Sequence, residues 1–400
     1  MSNIVYFVHC YPPAVGGLEF LSGEIVKILL KGGHNVDVIT SNGRTLDTNK
    51  NFSDWINVSN DPAYVHRLDL HFFWQRLANK LLNKLIFVSG TFSPWYFGPL
   101  LKYDQKISSL IKRADIIIGA GMPTKMFYDS YIFAKKYKKQ LICLPAYHDV
   151  SYYNRSLAFR SVLNFAQKII LLSPLEKRDL LKNYSIDSSK ITLLPYCPYT
   201  KKQLDKSLLK LENKLRDINN KIKNGQPVII GFVGQITLRK NFQFFVTFIE
   251  SNFKIFQKNG VKIKFLFAGM RTNSSKQVEE LFHDYKDIVC FMYDFLDKTQ
   301  IYNQIDIFIN PSLEESLSLV NFEALYYGLP LLIPHNSAFA SIFDNTLNEL
   351  EFANYDFDKL IKEITSDNRY VCIFSSNKLF DQFISYEEYV VKLLAIIAND

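Results

Sequence analysis

Two runs of alternating apolar strands and amphipathic helices, joined by a polar Lys-rich stretch, predict an α/β protein. Its expected form is two doubly wound domains facing a central cleft. Three observations carry this. The 400 residues are enough for two or three domains, and 48% hydrophobic with 15% aromatic residues excludes a disordered or collagen-like chain. A strand–loop–helix–strand pattern at the start recurs throughout both halves. No self-similarity at a fixed period of roughly 20–50 residues is present, which excludes a solenoid.

The elements follow in order. Residues 4–8, IVYFV, form a continuous apolar run, as in a strand buried on both faces. Tyr11-Pro12-Pro13 and Gly16-Gly17 break it. A helix follows, with Phe20, Leu21, Ile25, Ile28 and Leu29 at spacings of three and four, and Gly32-Gly33 close it before a strand at 36–40. Residues 115–118 are a further strand, leading through Gly-Ala-Gly-Met-Pro into a helix ending at Tyr137. Strands at 140–144 and 168–172 precede a helix opened by Ser173-Pro174, with Ser as cap and Pro at the first helical position. A short strand at 191–194 ends this half.

Residues 201–224, KKQLDKSLLKLENKLRDINNKIKN, read as a solvated helix or hinge between domains. Strands then fall at 228–233, 262–267, 288–292, 307–310 and 331–334, with helices at 242–258, 275–284, 319–327 and 386–398. The expected division is an N-terminal Rossmann-like domain over 1–200 and a polar linker over 201–225. A C-terminal Rossmann-like domain over 226–380 follows, and then a final helix over 381–400 packing back on the first domain.

The net charge of +8 is uneven. Residues 1–200 hold 24 Lys and Arg against 14 Asp and Glu, and residues 201–400 hold 23 against 25. The first half therefore has the electrostatics to approach an anionic surface, although a basic solvated face explains it equally. Five scattered Cys exclude a disulfide framework and form no CxxC pair, which suits a reducing compartment. Met1-Ser2-Asn3 lacks a basic signal region, and no apolar run approaches the ~18–20 residues that span a bilayer. A cytoplasmic protein, soluble or peripheral at the inner face of a membrane, is expected.

Ligands of such sheets bind beyond the carboxyl ends of the strands. Gly16-Gly17 lies at one such point, where a backbone can meet a phosphate, although a plain turn explains the pair as well. The stretch 310–324, NPSLEESLSLVNFEA, lies at another. Its amides near Ser318, Leu319 and Val320 open a helix, and Glu315 and Glu323 stand eight apart. Paired carboxylates so placed suit vicinal hydroxyls, each oxygen accepting a hydrogen bond. A helix-dipole role suits Glu315 but not Glu323. His148, followed by Asp149 in a loop after a strand, is read as structural or functional with equal weight. No metal site is legible: there is no DxD loop, the seven His show no ligand spacing, and Asp306 reads as a structural cap.

The Glu315-x7-Glu323 stretch resembles the signature of retaining GT-B glycosyltransferases, family 4 in particular. So do residues 11–19 through 33–36, 173–180 in LLSPLEKRDLL, and 234–241, GQITLRKN. The resemblance runs nearly end to end and is weakest over 41–110. It implies two Rossmann-like domains and a nucleotide-sugar donor, UDP- or GDP-linked, with no metal or other cofactor. By the same resemblance Glu323 would bind the donor ribose and Glu315 the sugar hydroxyls. The amides of Ser318, Leu319 and Val320 would cradle the sugar and diphosphate. Lys240 and Arg239 would neutralise the leaving diphosphate, Gly16 and Gly17 would approach it, and His148 would stand near the anomeric carbon. The sequence departs from the pattern at Gln235, where the family carries Arg, and at Ser316, Ser318 and Asn241, which replace glycines.

The acceptor expected is a glycan or lipid-linked glycan. Residues 71–101 concentrate aromatics with Arg76, Lys80 and Lys84 at helical spacing, which suits either a membrane-surface segment or a buried helix pair. Nucleic acid is not an expected partner, because no recognition motif accompanies the charge. Two other functions fit the same fold. One is a nucleotide-sugar epimerase or hydrolase, and the other is a non-catalytic glycan- or nucleotide-binding member.

Overall fold

The computed structural model describes residues 1–42, 61–68, 103–148, 157–293, 297–312, 315–343, 370–373 and 384–398. The chain forms two compact units, Met1–Tyr196 with Tyr389–Asp400, and Cys197–Glu388. The segment 71–101 and Asp149 lie outside the described residues.

The first unit holds a parallel sheet in the order β3-β2-β1-β4-β5-β6-β7. Its strands are β1 (Asn3–Val8), β2 (Asn35–Ser41), β3 (Val65–Leu68), β4 (Ile116–Ala120), β5 (Gln140–Leu144), β6 (Lys168–Leu171) and β7 (Ile191–Leu193). The helices α1 (Gly17–Lys31), α2 (Gln105–Arg113), α3 (Lys125–Tyr137), α4 (Leu157–Phe165) and α5 (Pro174–Asn183) connect them. β1 pairs on both sides, Ile4 with Val36 and with Ile116, so its unbroken apolar run is the run of a central strand. The core gathers Val5, Phe7, Ile117, Phe127, Leu141, Phe159 and Ile169. β3 is not legible as a strand because His66 and Arg67 occupy half of it. They are accommodated by a hydrogen bond from His66 to Asp37 and an ion pair of Arg67 with Asp61, each at 2.7 Å.

The second unit holds six strands in the order β10-β9-β8-β11-β12-β13. These are β8 (Val228–Val233), β9 (Ile263–Gly269), β10 (Val289–Tyr293), β11 (Ile307–Ile309), β12 (Leu331–Pro334) and β13 (Tyr370–Ile373). Its helices are α6 (Lys201–Lys223), α7 (Gln243–Lys258), α8 (Ser275–Glu280), α9 (Lys298–Gln304) and α10 (Leu319–Tyr326). All pairs are parallel except β12 with the edge strand β13, which is antiparallel. Phenylalanine fills this core: Phe245 lies 4.6 Å from Phe267 and Phe232 lies 5.0 Å from Phe242, centroid to centroid. Gly269, at the end of β9, has to be glycine because a Cβ there would overlap the Gly234 carbonyl oxygen.

Residues 201–224, expected to form a solvated helix or a hinge, form a helix, α6, but one that is not solvated all round. It buries Leu204, Leu211, Leu215 and Ile218 on one stripe, and it is pinned by a long-range ion pair. Asp306, 1% exposed, accepts two bonds from Lys221 Nζ at 2.8 and 2.6 Å and one from the Ile229 amide at 2.8 Å. Lys214 stands 3.7 Å away. Asp306 is thus structural, as read, and also anchors α6, and the lysines that made the segment look solvated are partly spent on it. The last helix, α11 (Tyr386–Ala398), buries Tyr389, Leu393 and Ile397. Tyr389 meets Tyr196 edge-on at 4.9 Å, and Leu394 rests on Gly32, so most of this helix packs in the first unit.

In each sheet the connections run outward on both sides of one strand pair, β1 with β4 and β8 with β11. The loops leaving these pairs are where a doubly wound sheet opens a ligand crevice.

Candidate functional site

In the second unit the loops after β8 and β11 meet. The first ends in a tight turn, Leu238–Lys240, followed by Asn241 in the left-handed region at φ 54. The Asn241 side-chain amide donates to the Pro311 carbonyl at 3.2 Å. This juncture brings Lys240 onto Glu315, and Lys240 Nζ donates to Glu315 Oε1. Glu315 is only 14% exposed. Burial would raise its pKa, but the Lys240 charge and hydrogen bond, with the nearby Ser318 and Ser312 hydroxyls, outweigh it. The carboxyl is therefore held below its usual value. It lies before the helix, so it is not a first-turn dipole partner.

Ser318 precedes α10 with φ 69, a conformation that favours glycine. The serine is kept there by use of its hydroxyl, which accepts from Asn310 Nδ2 at 2.7 Å. Asn310 also donates to Asn321 Oδ1 at 2.8 Å, tying the loop to the first turn of α10. Leu319 and Val320 open that helix with half-exposed side chains. Glu323 follows one turn on. Its two oxygens accept from Lys298 Nζ and Tyr302 OH, each at 2.7 Å. Tyr302 is buried and stacks on Tyr327 at 4.7 Å. Gln235 and Arg239 share the Lys240 loop, half-buried and exposed respectively.

Lys298 and Tyr302 escape the sequence reading. Their spacing of four on α9, which puts them on one face, was the available signal.

In the first unit Gly16 and Gly17 open α1, but Glu19 folds back over Gly16. A side chain at Gly16 would collide with the Glu19 carboxylate, whereas one at Gly17 would meet nothing. Burial raises the pKa of Glu19, so a half-buried acid stands at the Gly16 side of the turn read as an anion site. His148 is half-buried in the loop after β5. The residue before it, Tyr147, is buried, and its amide donates to Glu176 of α5 at 2.6 Å. Glu19 and Glu176 enter the sequence reading only inside matched stretches, with no role of their own. Among the described residues no three His, Cys, Asp or Glu side chains gather as a metal set. No helix among them is long and apolar enough to cross a membrane.

Comparison with known proteins places these loops in context. Residues 227–366 match the family Glycosyl transferases group 1. The capsular polysaccharide biosynthesis glycosyltransferase CapM of Staphylococcus aureus is 27% identical over 169 residues, 42% of this chain and 43% of that protein. The chain thus aligns with less than half the length of that relative. Among solved structures, a glycosyltransferase from Rickettsia africae superposes with a TM-score of 0.58 at 18% identity, covering 99% of each chain. WaaG, a glycosyltransferase involved in lipopolysaccharide biosynthesis, gives 0.52 at 16% identity, over 99% of this chain and 95% of that one. The fold is therefore the α/β arrangement of GT-B glycosyltransferases, with two doubly wound units.

Proposed function

We propose, from a second unit that matches the Glycosyl transferases group 1 family over residues 227–366, that the chain is a retaining glycosyltransferase. It moves a sugar from a UDP- or GDP-linked donor to a glycan or lipid-linked acceptor. The observation that carries the reading is the Lys240–Glu315 pair, formed where the two loops of the strand switch meet. In this reading Glu315 holds donor-sugar hydroxyls, and Lys240 with Arg239 faces the diphosphate. The negative charge that develops there as the glycosidic bond breaks is then met by fixed cations rather than by a metal. Glu323, steadied by Lys298 and Tyr302, accepts from the ribose hydroxyls. The amides of Ser318, Leu319 and Val320 approach the sugar and phosphates, as does the Gly16-Gly17 turn at Gly17, the glycine that Glu19 leaves open. His148 stands at the reacting carbon.

The acceptor assignment draws on the surface-polysaccharide roles in the names of CapM and WaaG. Together with the basic first half, it supports action at the inner face of a membrane without spanning it. A panel of nucleotide sugars in a thermal-shift assay tests the donor class. A true donor at 100 times its Kd adds about 2.7 kcal/mol, and a panel without any shift rejects the proposal. Retention is read from the anomeric configuration of the product by NMR.

A further inference from the structure

The loop that carries His148 is held from one side by a single buried acid. We propose that Glu176 is a positioning residue for His148, its carboxylate fixing the loop by accepting the Tyr147 amide on one oxygen and the Leu172 amide on the other. The inference rests on the reading of His148 given above and adds to it the group that sets where the imidazole stands.

Both bonds measure 2.6 Å, and Glu176 is 2% exposed. Its own amide is taken by the Ser173 hydroxyl at 3.2 Å, which fixes the first turn of α5 and therefore the origin of the side chain. The loop needs such a hold. Ala146 has φ 48, a left-handed conformation that a residue with a Cβ does not adopt unaided. α5 grips the same loop twice more. Asn183 Nδ2 donates to Tyr147 OH at 2.8 Å, and Tyr184 packs edge-on against the Tyr147 ring at 6.1 Å. Those contacts fix the ring of Tyr147, whereas Glu176 holds the main chain one residue before His148.

The groups meeting the acid are neutral. They are the Tyr147 amide from the loop after β5, the Leu172 amide from the end of β6, and Ser173 from its own helix. The charged residues of α5, Lys177, Arg178, Asp179 and Lys182, occupy half-buried or exposed positions. Burial pushes the carboxyl up to about 8 against these hydrogen bonds. A protonated carboxyl keeps its carbonyl oxygen as an acceptor but turns the other oxygen into a hydroxyl, so the grip on one of the two amides weakens as the acid takes up its proton, even though the fold as a whole favours the protonated form.

The test compares wild type, Glu176→Gln, Glu176→Asp and His148→Ala. UDP-glucose and GDP-mannose serve as hydrolysis probes, followed across about pH 5–9. The Tyr147 amide exchange rate and the His148 ring resonance are read by NMR. We expect Glu176→Gln to lower kcat roughly 10- to 100-fold, the scale seen when a supporting partner of a reacting group is lost, with KM unchanged. The Tyr147 amide loses protection, the His148 resonance moves, and the low-pH limb of the wild-type rate disappears. Glu176→Asp recovers part of each and carries the test if the Gln variant does not fold. Wild-type amide exchange and an unmoved His148 resonance in a folded variant overturn the proposal. Full turnover in His148→Ala removes instead the catalytic reading of that residue, and the amide data still decide whether Glu176 holds the loop.

Discussion

Glu176 and Glu315 are both carboxylic acids largely removed from water beyond the carboxyl end of a parallel sheet, one in each unit, and they hold their protons in opposite senses. The Glu176 carboxyl meets main-chain amides, and burial wins: its pKa rises to about 8. Glu315 meets the Lys240 ammonium, and charge wins: its pKa falls below the usual value. Two hydrogen-bond donors do not substitute for one counter-charge when desolvation is this strong. The second unit consistently uses opposite charges to order its loops, as Lys240–Glu315, Lys298–Glu323 and Lys221–Asp306 show. The first unit orders its His148 loop with dipoles.

The contrast can be broken in order of size. Glu315→Ala should abolish most nucleotide release, by about 10²–10³-fold or more, because it deletes a group facing the donor and strands Lys240. Release that continues at the wild-type rate removes Glu315 from the mechanism. Asp306→Ala should cost about 3–5 kcal/mol in urea unfolding, since Lys221 and Lys214 then lose their buried partner. A loss under 1 kcal/mol would mean that α6 is held by its leucines alone. Gly269→Ala should cost about 1–3 kcal/mol through overlap with Gly234, a packing effect independent of charge.

The two acids should then give opposite pH slopes. Glu176 has a raised folded pKa, so its contribution is full below the ordinary carboxylate value near 4.5 and is lost as pH rises through about 8. Glu315 has a lowered folded pKa. Its contribution is present above the ordinary value and disappears on acidification through the lowered one. Urea titrations should show the alkaline loss flattened in Glu176→Gln and the acid loss flattened in Lys240→Met. Equal slopes in both variants would dissolve the comparison. Smallest of all, Arg178→Ala removes an exposed partner of Asp179 at 3.1 Å and should change stability by no more than about 0.5 kcal/mol.

Much of this is legible in the sequence where a signal is local. β1, β4 and β8 are continuous apolar runs, and the Ser173 cap with Pro174 marks α5 as written. Ser318 and Asn241, noticed because they replace glycines, both take positive φ. Long-range charge pairing is not legible. The lysines of α6 look like a solvated face until Asp306, 85 residues from Lys221, is found beneath them. β13 escapes because an antiparallel edge strand carries no βαβ pattern, and β3 because its polar residues hide the strand. Glu176 was read as part of a motif and not as a buried acid, since nothing in SPLE says that its side chain will turn inward to two amides.

The return of α11 to the first unit has a bearing on how the molecule is made. Tyr196 receives Tyr389 against its ring, and the Gly32 corner receives Leu394. These wall pieces leave the ribosome only after the whole second unit has been synthesised. Order of translation and order of assembly therefore cannot coincide. The older half waits, with an aromatic face uncovered, for the youngest helix to close it.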